Sequence, residues 1–327
     1  MKAAIFRRYG SPGTVVELRD VDTPVPADHE VLLDIRAASV NALDWRTVMG
    51  TPFAVRLAIG LRRPKEQRLG VDVAGVVARV GRDVTRFRVG DRVFGNCRGA
   101  FAEASCASEA ALCAIPEGVS FEQAASIPLA SFTAMQALRI GNVASGYSVL
   151  VNGAGGGVGT FAVQLAKSLG AHVTGVTQSK NLELVRSIGA DEVIDYARED
   201  FTQGGRRYDL ILDCHANHSL LACRRKLKPR GTYLVIGAPF ARLIDILGVV
   251  ARCAALSAFG KRKLKMVLAK RQPDDLAIVA RLVSEGVVTP LIDRRFPLSE
   301  IRDAISYVAE GRASGKVIVG MPSGQPC

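Results

Sequence analysis

Apolar and polar positions follow two different periods along this chain. Up to about residue 120 the period is two. Val31, Leu33 and Ile35 alternate with Leu32, Asp34 and Arg36, Pro24 and Pro26 break the chain just before, and glycines at 70, 75, 81, 90, 95 and 99 punctuate short Val-rich runs. Short strands with close turns predict a small, barrel-like antiparallel domain. Pro116-Glu117-Gly118 predicts a turn, and Ser120 predicts a helix N-cap with Gln123 in the box position. From about 124 the period changes, and helical residues 124–140 lead to a strand at 148. Strands over 172–177, 191–194, 209–213 and 232–236 alternate with helix-like segments, the last entered by a turn at Pro229-Arg230-Gly231. This alternation predicts a doubly wound parallel sheet, so the fold class is α/β with a β-rich first domain. After Lys270, helices over 273–285 and 299–310 precede a final apolar run at 316–319. Segment 239–260 is apolar with helical spacing at Leu243, Leu247, Val250 and Ala254. It reads first as a buried interface, with a substrate lid or a membrane-surface helix as alternatives. The tail 322–327 is expected to fray.

The parallel-sheet half begins with an apolar run, Ser148 to Val151, that meets Asn152-Gly153-Ala154-Gly155-Gly156-Gly157-Val158-Gly159, and a helical pattern (Phe161, Val163, Leu165, Ala166, Leu169) follows up to Gly170. Strand, tight turn and helix in this order place free N–H groups and a positive dipole end where a diphosphate binds. The dinucleotide fingerprint fits as Ala154-x-Gly156-x-x-Gly159, with a second strand after Gly170 as a βαβ unit requires. An NAD site wants a carboxylate at the end of that second strand. The position reads Thr177-Gln178-Ser179-Lys180, a hydroxyl and an ammonium, which suit a 2′-phosphate and favour NADPH. Lys180 is otherwise a solvated residue at a helix start.

Composition narrows the class. At 327 residues, with 48% hydrophobic and 23% charged content, a soluble globular protein of two domains is expected. No uncharged apolar run reaches transmembrane length, and the N-terminus turns charged too early for a secretory signal, so the cytoplasm is the expected compartment. Seven cysteines, an odd count with no C-x-x-C, fit a reducing compartment. The net charge of +12 gathers at Arg56 to Arg68, Arg224 to Arg230 and Lys261 to Lys265. These clusters are scattered and lack interleaved aromatics, so a solvated surface, partly serving a phosphorylated cofactor, is preferred over nucleic-acid or membrane binding.

Three further motifs are Ser39-Val40-Asn41-Ala42-Leu43-Asp44, Gly70-Val71-Asp72-Val73-Ala74-Gly75-Val76-Val77, and Val89-Gly90-Asp91-Arg92-Val93-Phe94-Gly95. With Gly153 to Gly159, Leu169-Gly170-Ala171, Gly189-Ala190-Asp191, Asp195-Tyr196 and Gly315-Lys316-Val317, they run in one order over nearly the whole chain. In this order the sequence resembles the medium-chain dehydrogenase/reductase superfamily, in its zinc-free, zeta-crystallin-like quinone oxidoreductase branch. The resemblance implies a GroES-like catalytic domain over 1–123, a Rossmann NADP-binding domain over 124–270, a return to the catalytic domain over 271–327, an active site in the cleft between the domains, and a homodimer.

It also implies chemistry. Zinc relatives carry Cys where this chain has Asn41 and Gly-His-Glu where it has Gly70-Val71-Asp72, and neither Asn nor Val replaces a thiolate or imidazole on zinc. Cys97, Cys106 and Cys113 are too few and too far apart for a structural zinc lobe. The expected metal content is none. Lys180 and Tyr196 match family positions that hold the 2′-phosphate, joined as cofactor residues by Ala154, Gly155, Gly156, Gly157, Val158, Gly159, Ser179 and Lys316. Without a Lewis acid, alcohol oxidation loses its usual support, whereas a quinone or an α,β-unsaturated carbonyl accepts hydride from NADPH directly. Asn41 is expected to hold the acceptor oxygen or the nicotinamide through its amide. Asp44 is expected at the same place, either orienting Asn41 or Arg46 or serving the turn. Trp45 and Met49 stand as acceptor-pocket walls or as core. Arg46 and Thr47 occupy the place of an expected tyrosine, which leaves solvent as the first choice of proton donor. His215 and His218, after the strand ending at Asp213, lie at the cofactor edge of the sheet. The alternatives to a quinone or enone reductase are an enoyl or alkenal reductase of a biosynthetic pathway and, from another class, a nucleic-acid-binding or structural protein on this fold.

Overall fold

The computed structural model describes the chain apart from residues 52, 237–242, 259, 268, 271 and 323–327. It divides into two compact units. One holds Met1–Ala130, Arg271–Gly286 and Pro290–Cys327, and the other holds Ser131–Lys270 with Val287–Thr289.

The first unit begins with an antiparallel pair, β1 (Lys2–Phe6) and β2 (Val16–Asp20). Its main sheet uses β3 (Glu30–Val40), β4 (Asp72–Val80), β5 (Arg92–Asn96), β6 (Ala104–Ser108) and β7 (Leu112–Ala114). The alternation read at Val31, Leu33 and Ile35 holds within β3, which pairs antiparallel with both β4 and β6. The second unit carries a parallel sheet of β8 (Ser148–Asn152), β9 (His172–Thr177), β10 (Glu192–Asp195), β11 (Tyr208–Asp213), β12 (Leu227–Ile236) and β13 (Lys263–Val267), in the order β10-β9-β8-β11-β12-β13. The chain then returns to the first unit. Strands β14 (Ile292–Pro297) and β15 (Lys316–Gly320) extend its sheet, with β15 antiparallel to β3 and Val317 opposite Val40.

Ser120 caps the helix Phe121–Ser126 through a reciprocal box, Gln123 N donating to Ser120 Oγ at 3.1 Å and Ser120 N to Gln123 Oε1 at 3.0 Å. The single helix expected over 124–140 is two helices, Phe121–Ser126 and Pro128–Ile140, because Pro128 has no N–H to continue the first. The turn expected at Pro229-Arg230-Gly231 is absorbed into β12, with Arg230 at φ 70 and a register shift against β11. The basic cluster Lys261 to Lys265 runs into strand β13, whose Leu264 is buried in the core while Lys263 and Lys265 face solvent.

Each unit has its own core. The first gathers Phe6, Leu33, Ile35 and Phe101 with Ile301, Ile305 and Val319 from the returning segment. The second gathers Leu150, Val176, Ile211, Tyr233, Cys253 and Leu264. The apolar segment at 239–260 gives the helix Leu243–Ala258. Cys253 is buried, whereas Leu247 and Val250 are exposed on this chain, as a face awaiting an interface would be. Residues 239–242 and 259 of that segment lie outside the described residues. Among the described residues no helix is long and apolar enough to cross a membrane.

Candidate active site

In the first unit, β3 ends at Val40 and Asn41 starts the helix Ala42–Met49 in extended conformation. Asp44, three residues into that helix, accepts the Asn41 backbone N–H at 2.7 Å, the reach expected of an N3 carboxylate. The contact fits both an Asn41-orienting and a turn role for Asp44. The cation of Arg46 instead lies over the Trp45 ring, 5.2 Å from its centroid.

Asn41 Nδ2 donates to Asp72 Oδ2 at 2.9 Å and to the Ser39 carbonyl at 3.3 Å, and Asn41 Oδ1 accepts Lys316 Nζ at 2.6 Å. Every hydrogen-bonding site of the amide hydrogens is therefore engaged inside the protein. For Asn41 to hold an acceptor oxygen or the nicotinamide, as expected, it would have to give up one of these bonds. Lys316, expected among the cofactor residues, lies in this buried cluster of the catalytic unit, because β15 lies beside β3. Its ammonium lies 3.6 Å from Asp72 Oδ2, and both side chains are buried.

Asp72 is also met by Ser39 Oγ at 3.2 Å, Asn96 Nδ2 at 2.7 Å and the Leu129 N–H at 3.2 and 3.3 Å. Burial pushes its pKa up, and Lys316 and these donors oppose the rise. Burial likewise pulls Lys316 down while Asp72 and Asp44 hold it up. The donors that converge on Asp72 favour its carboxylate form against the effect of burial. Asp44 has far less support. Burial, with Asp72 nearby, raises its pKa to about 7 against the opposing Asn41 N–H and Lys316.

Asp44 lines a cavity of about 510 Å³ within this unit, together with Thr47, Ile59, Leu69, Val71 and Cys97. Lys65, Glu66, Arg68 and Arg98 complete its polar side. Trp45 and Met49 are not among its lining residues. Trp45 packs against the core and Met49 is exposed.

In the second unit the glycine turn joins β8 to the helix Gly157–Ser168. Gly153, at φ 89, turns the chain, and its N–H and that of Ala154 both reach the Val176 carbonyl at 3.0 Å. A Cβ at Gly159 would stand 2.1 Å from the Gly153 carbonyl oxygen, so glycine there lets the helix pack on the turn. Ala154 and Gly155 are buried and serve the turn's shape, whereas Gly156, Gly157 and Val158 are half-buried at its tip. The first-turn amides of the helix have no helical carbonyl to bind, and at Gly156 the nearest atom to an added Cβ would be 3.4 Å away. This open cradle of N–H groups fits the diphosphate of a dinucleotide.

Ser179 and Lys180 follow β9, exposed, and Tyr196 N donates to the Thr177 carbonyl at 3.1 Å beside them. The sequence shows no carboxylate here, but the structure brings one from the neighbouring strand. Asp195 pairs in register with Thr177 and accepts Ser179 Oγ at 2.6 Å. The Ser179 hydroxyl, with the Ala197 amide and Arg198, holds Asp195 below the usual carboxylate range. His215 packs over Gly153, within 2.8 Å of where a Cβ there would stand. His218 turns elsewhere, with Nε2 3.3 Å from Asp200 and its ring against Phe201.

Sequence reasoning missed a second buried carboxylate. Asp213, at the end of β11, takes Asn152 Nδ2 at 2.8 Å, the His215 and Ala216 amides at 3.0 and 2.7 Å, and Tyr233 OH at 2.7 Å. The only signal was an acidic residue closing an apolar strand.

The alcohol dehydrogenase GroES-like domain matches residues 27–125, and a zinc-binding dehydrogenase domain matches residues 188–319. The second description names zinc, which the Asn41 cluster does not fit. Its donors are a carboxylate, two amides and a hydroxyl, with an ammonium already neutralising the carboxylate. Among the described residues no group of three or more His, Cys, Asp or Glu is placed to hold a metal. The chain is 32% identical to a chloroplast envelope quinone oxidoreductase homolog of Arabidopsis thaliana over 98% of each chain. It is 30% identical to the chloroplastic NADPH-dependent alkenal/one oxidoreductase of the same plant, over 98% of this chain and 79% of the relative. The solved quinone oxidoreductase of Coxiella burnetii superposes with a TM-score of 0.87 at 30% identity, covering 98% of this chain and 99% of that one. With its GroES-like unit, its parallel-sheet unit and these full-length relatives, the chain belongs to the quinone oxidoreductase-like branch of the medium-chain dehydrogenase/reductase superfamily.

Proposed function

We propose that this protein is an NADPH-dependent reductase that delivers hydride to a quinone or an α,β-unsaturated carbonyl without zinc. The observation that carries the reading is the ammonium of Lys316, held by Asn41 and Asp72 where zinc relatives place metal ligands. The names of the relatives, quinone oxidoreductase and NADPH-dependent alkenal/one oxidoreductase, point to the same acceptors.

When bound, NADPH supplies the hydride. The amides of Gly156, Gly157 and Val158 would hold its diphosphate, while Lys180 and Tyr196 would take its 2′-phosphate and Arg198 would offset the charge of Asp195. Lys316 is the cation of the catalytic unit, and Asn41 is a positioning residue that fixes the ammonium. The Asp44 carboxyl, at about 7, holds a proton toward the cavity near neutral pH, which makes it a candidate donor beside solvent. The protein acts as a homodimer, with the exposed Leu247 and Val250 as one contact face, in a reducing compartment such as the cytoplasm, where its cysteines stay thiols.

The test is NADPH oxidation against a panel of quinones, enals and enones, with and without a chelator. Turnover of at least one class, unchanged by chelation, is the expected result. Activity confined to alcohols, or lost on chelation and restored by zinc, would overturn the reading.

A further inference from the structure

Two basic residues of the stretch at 56–68, a stretch whose sequence predicts solvated surface, line the catalytic unit's cavity together with Arg98. These two are Lys65 and Arg68. The three come from two separate loops, each pinned by backbone contacts. Lys65 N donates to the Ile59 carbonyl at 2.7 Å, Phe6 N to the Gln67 carbonyl at 2.9 Å, and Leu69 N to the Ala4 carbonyl at 3.0 Å. On the other loop the Arg98 carbonyl accepts Ser105 Oγ at 2.6 Å.

Their charges are not equally compensated. Arg68 holds Glu66 through two contacts, at 3.2 and 3.3 Å, and the two neutralise each other. Lys65 and Arg98 make no ion pair among the described residues, although Arg98 stands close enough to help Arg68 hold the Glu66 carboxyl below the usual range. Ile59, Leu69 and Val71 give the same cavity an apolar lining, to which Asp44 also contributes. The volume, about 510 Å³, is that of a small-molecule site. A partly apolar slot lined by two exposed cations outside any ion pair recognises a flat conjugated molecule with a negative group at one end.

We propose that the acceptor is such an amphipathic anion, a conjugated carbonyl or quinone bearing a carboxylate-like group that Lys65 and Arg98 bind at the cavity rim. This rests on the reductase reading above and narrows its substrate class.

The experiment uses matched pairs that differ only in charge. One is 4-(3-oxobut-1-enyl)benzoate and its methyl ester, the other a naphthoquinone propionate and its methyl ester. Turnover with NADPH is measured for each, and calorimetry measures the affinity of the saturated, unreactive keto acid and keto ester. The acid is expected to be preferred over the ester by about tenfold in kcat/KM and in affinity, mainly through KM, with the preference shrinking as salt rises. In Lys65→Ala/Arg98→Ala the acid-to-ester ratio should fall toward one. Equal or better binding of the ester in the wild type, or an unchanged ratio in the double variant, overturns the proposal. Failure of the reductase reading shows separately, as absent turnover for all four acceptors, while the calorimetric ratio still decides the anion site.

Discussion

Asp72 and Asp213 are both fully buried carboxylates, one in each unit, and the protein satisfies them differently. Among the described residues Asp213 is met by neutral donors: two backbone amides of the loop that follows it, the Asn152 amide and the Tyr233 hydroxyl. Those donors tie the ends of β8, β11 and β12 together, so the charge serves as a staple. Asp72 has a similar set of neutral donors and a cation besides, Lys316. If neutral donors suffice at Asp213, the ammonium at Asp72 is more than structural. A buried cation that shares a carboxylate with four other donors keeps N–H groups for something else, and that is the reason to place Lys316 at the chemistry and Asp213 in the architecture.

Lys316→Met tests this most severely. It leaves Asp72 uncompensated and the Asn41 carbonyl oxygen without its donor, and breaking a buried pair in this way costs about 3–5 kcal/mol. Urea unfolding should show a loss of that size, with turnover lost as well. A loss below about 1 kcal/mol would mean that Asp72 manages on neutral donors as Asp213 does, and the distinction between the two sites would fall.

Asp44 extends the comparison to a third buried carboxylate, one with a single N–H as its partner. Its pKa rises to about 7 in the folded protein, above the unfolded value, so the folded state binds the extra proton. The stability it contributes is complete below about pH 4 and is lost as pH rises through about 7. Wild type should therefore lose roughly 2–4 kcal/mol across that window relative to Asp44→Asn. If Asp44 also supplies the proton, turnover of the wild type falls above about pH 7 and the variant lacks that limb. Parallel stability profiles for the two proteins would show that Asp44 titrates as an ordinary surface carboxyl.

Tyr233→Phe sharpens the other side. It removes one of four neutral donors from Asp213, a hydrogen bond to a charged group worth about 1.5–3 kcal/mol. Thermal and urea unfolding should record that loss with NADPH affinity little changed, as befits a staple. A large loss of turnover at unchanged stability would instead place Asp213 in the chemistry.

The two sites also differ in how far they could be read from sequence. The glycine turn and the strand–helix alternation were legible because their physics is local: φ at Gly153, close approach at Gly159, and period along each strand. The Ser120–Gln123 box was legible for the same reason. Asn41 stood out only through resemblance to a family. Its actual partners were hidden because Lys316 is 275 residues away and meets it only once β15 lies beside β3. The same holds for Asp195, which reaches Ser179 through strand register, and for Lys65 and Arg98, which meet at one cavity from separate loops.

The smallest expected effect concerns the exposed counterpart of Lys316. Lys180 sits in solvent at the end of β9, near Ser179 and the Asp195 carboxylate that the register of β10 supplies. A charge in that setting is screened and worth little to folding, about 0–1 kcal/mol, so Lys180→Glu should unfold at nearly the wild-type urea concentration. Cofactor choice is where it should register. The variant sets a second carboxylate beside Asp195, and both repel a 2′-phosphate while leaving a 2′-hydroxyl unaffected. The ratio of NADPH to NADH in kcat/KM should drop about tenfold or more, and the drop should lessen at high salt. Asp195→Asn should move the same ratio the other way, since it removes the carboxylate already present, though Ser179 then loses its acceptor. If wild type uses NADH as well as NADPH, or if Lys180→Glu leaves the ratio unchanged, then Asp195 rather than Lys180 sets the choice. The end of β9 would then be a ribose hydroxyl site assembled across two strands.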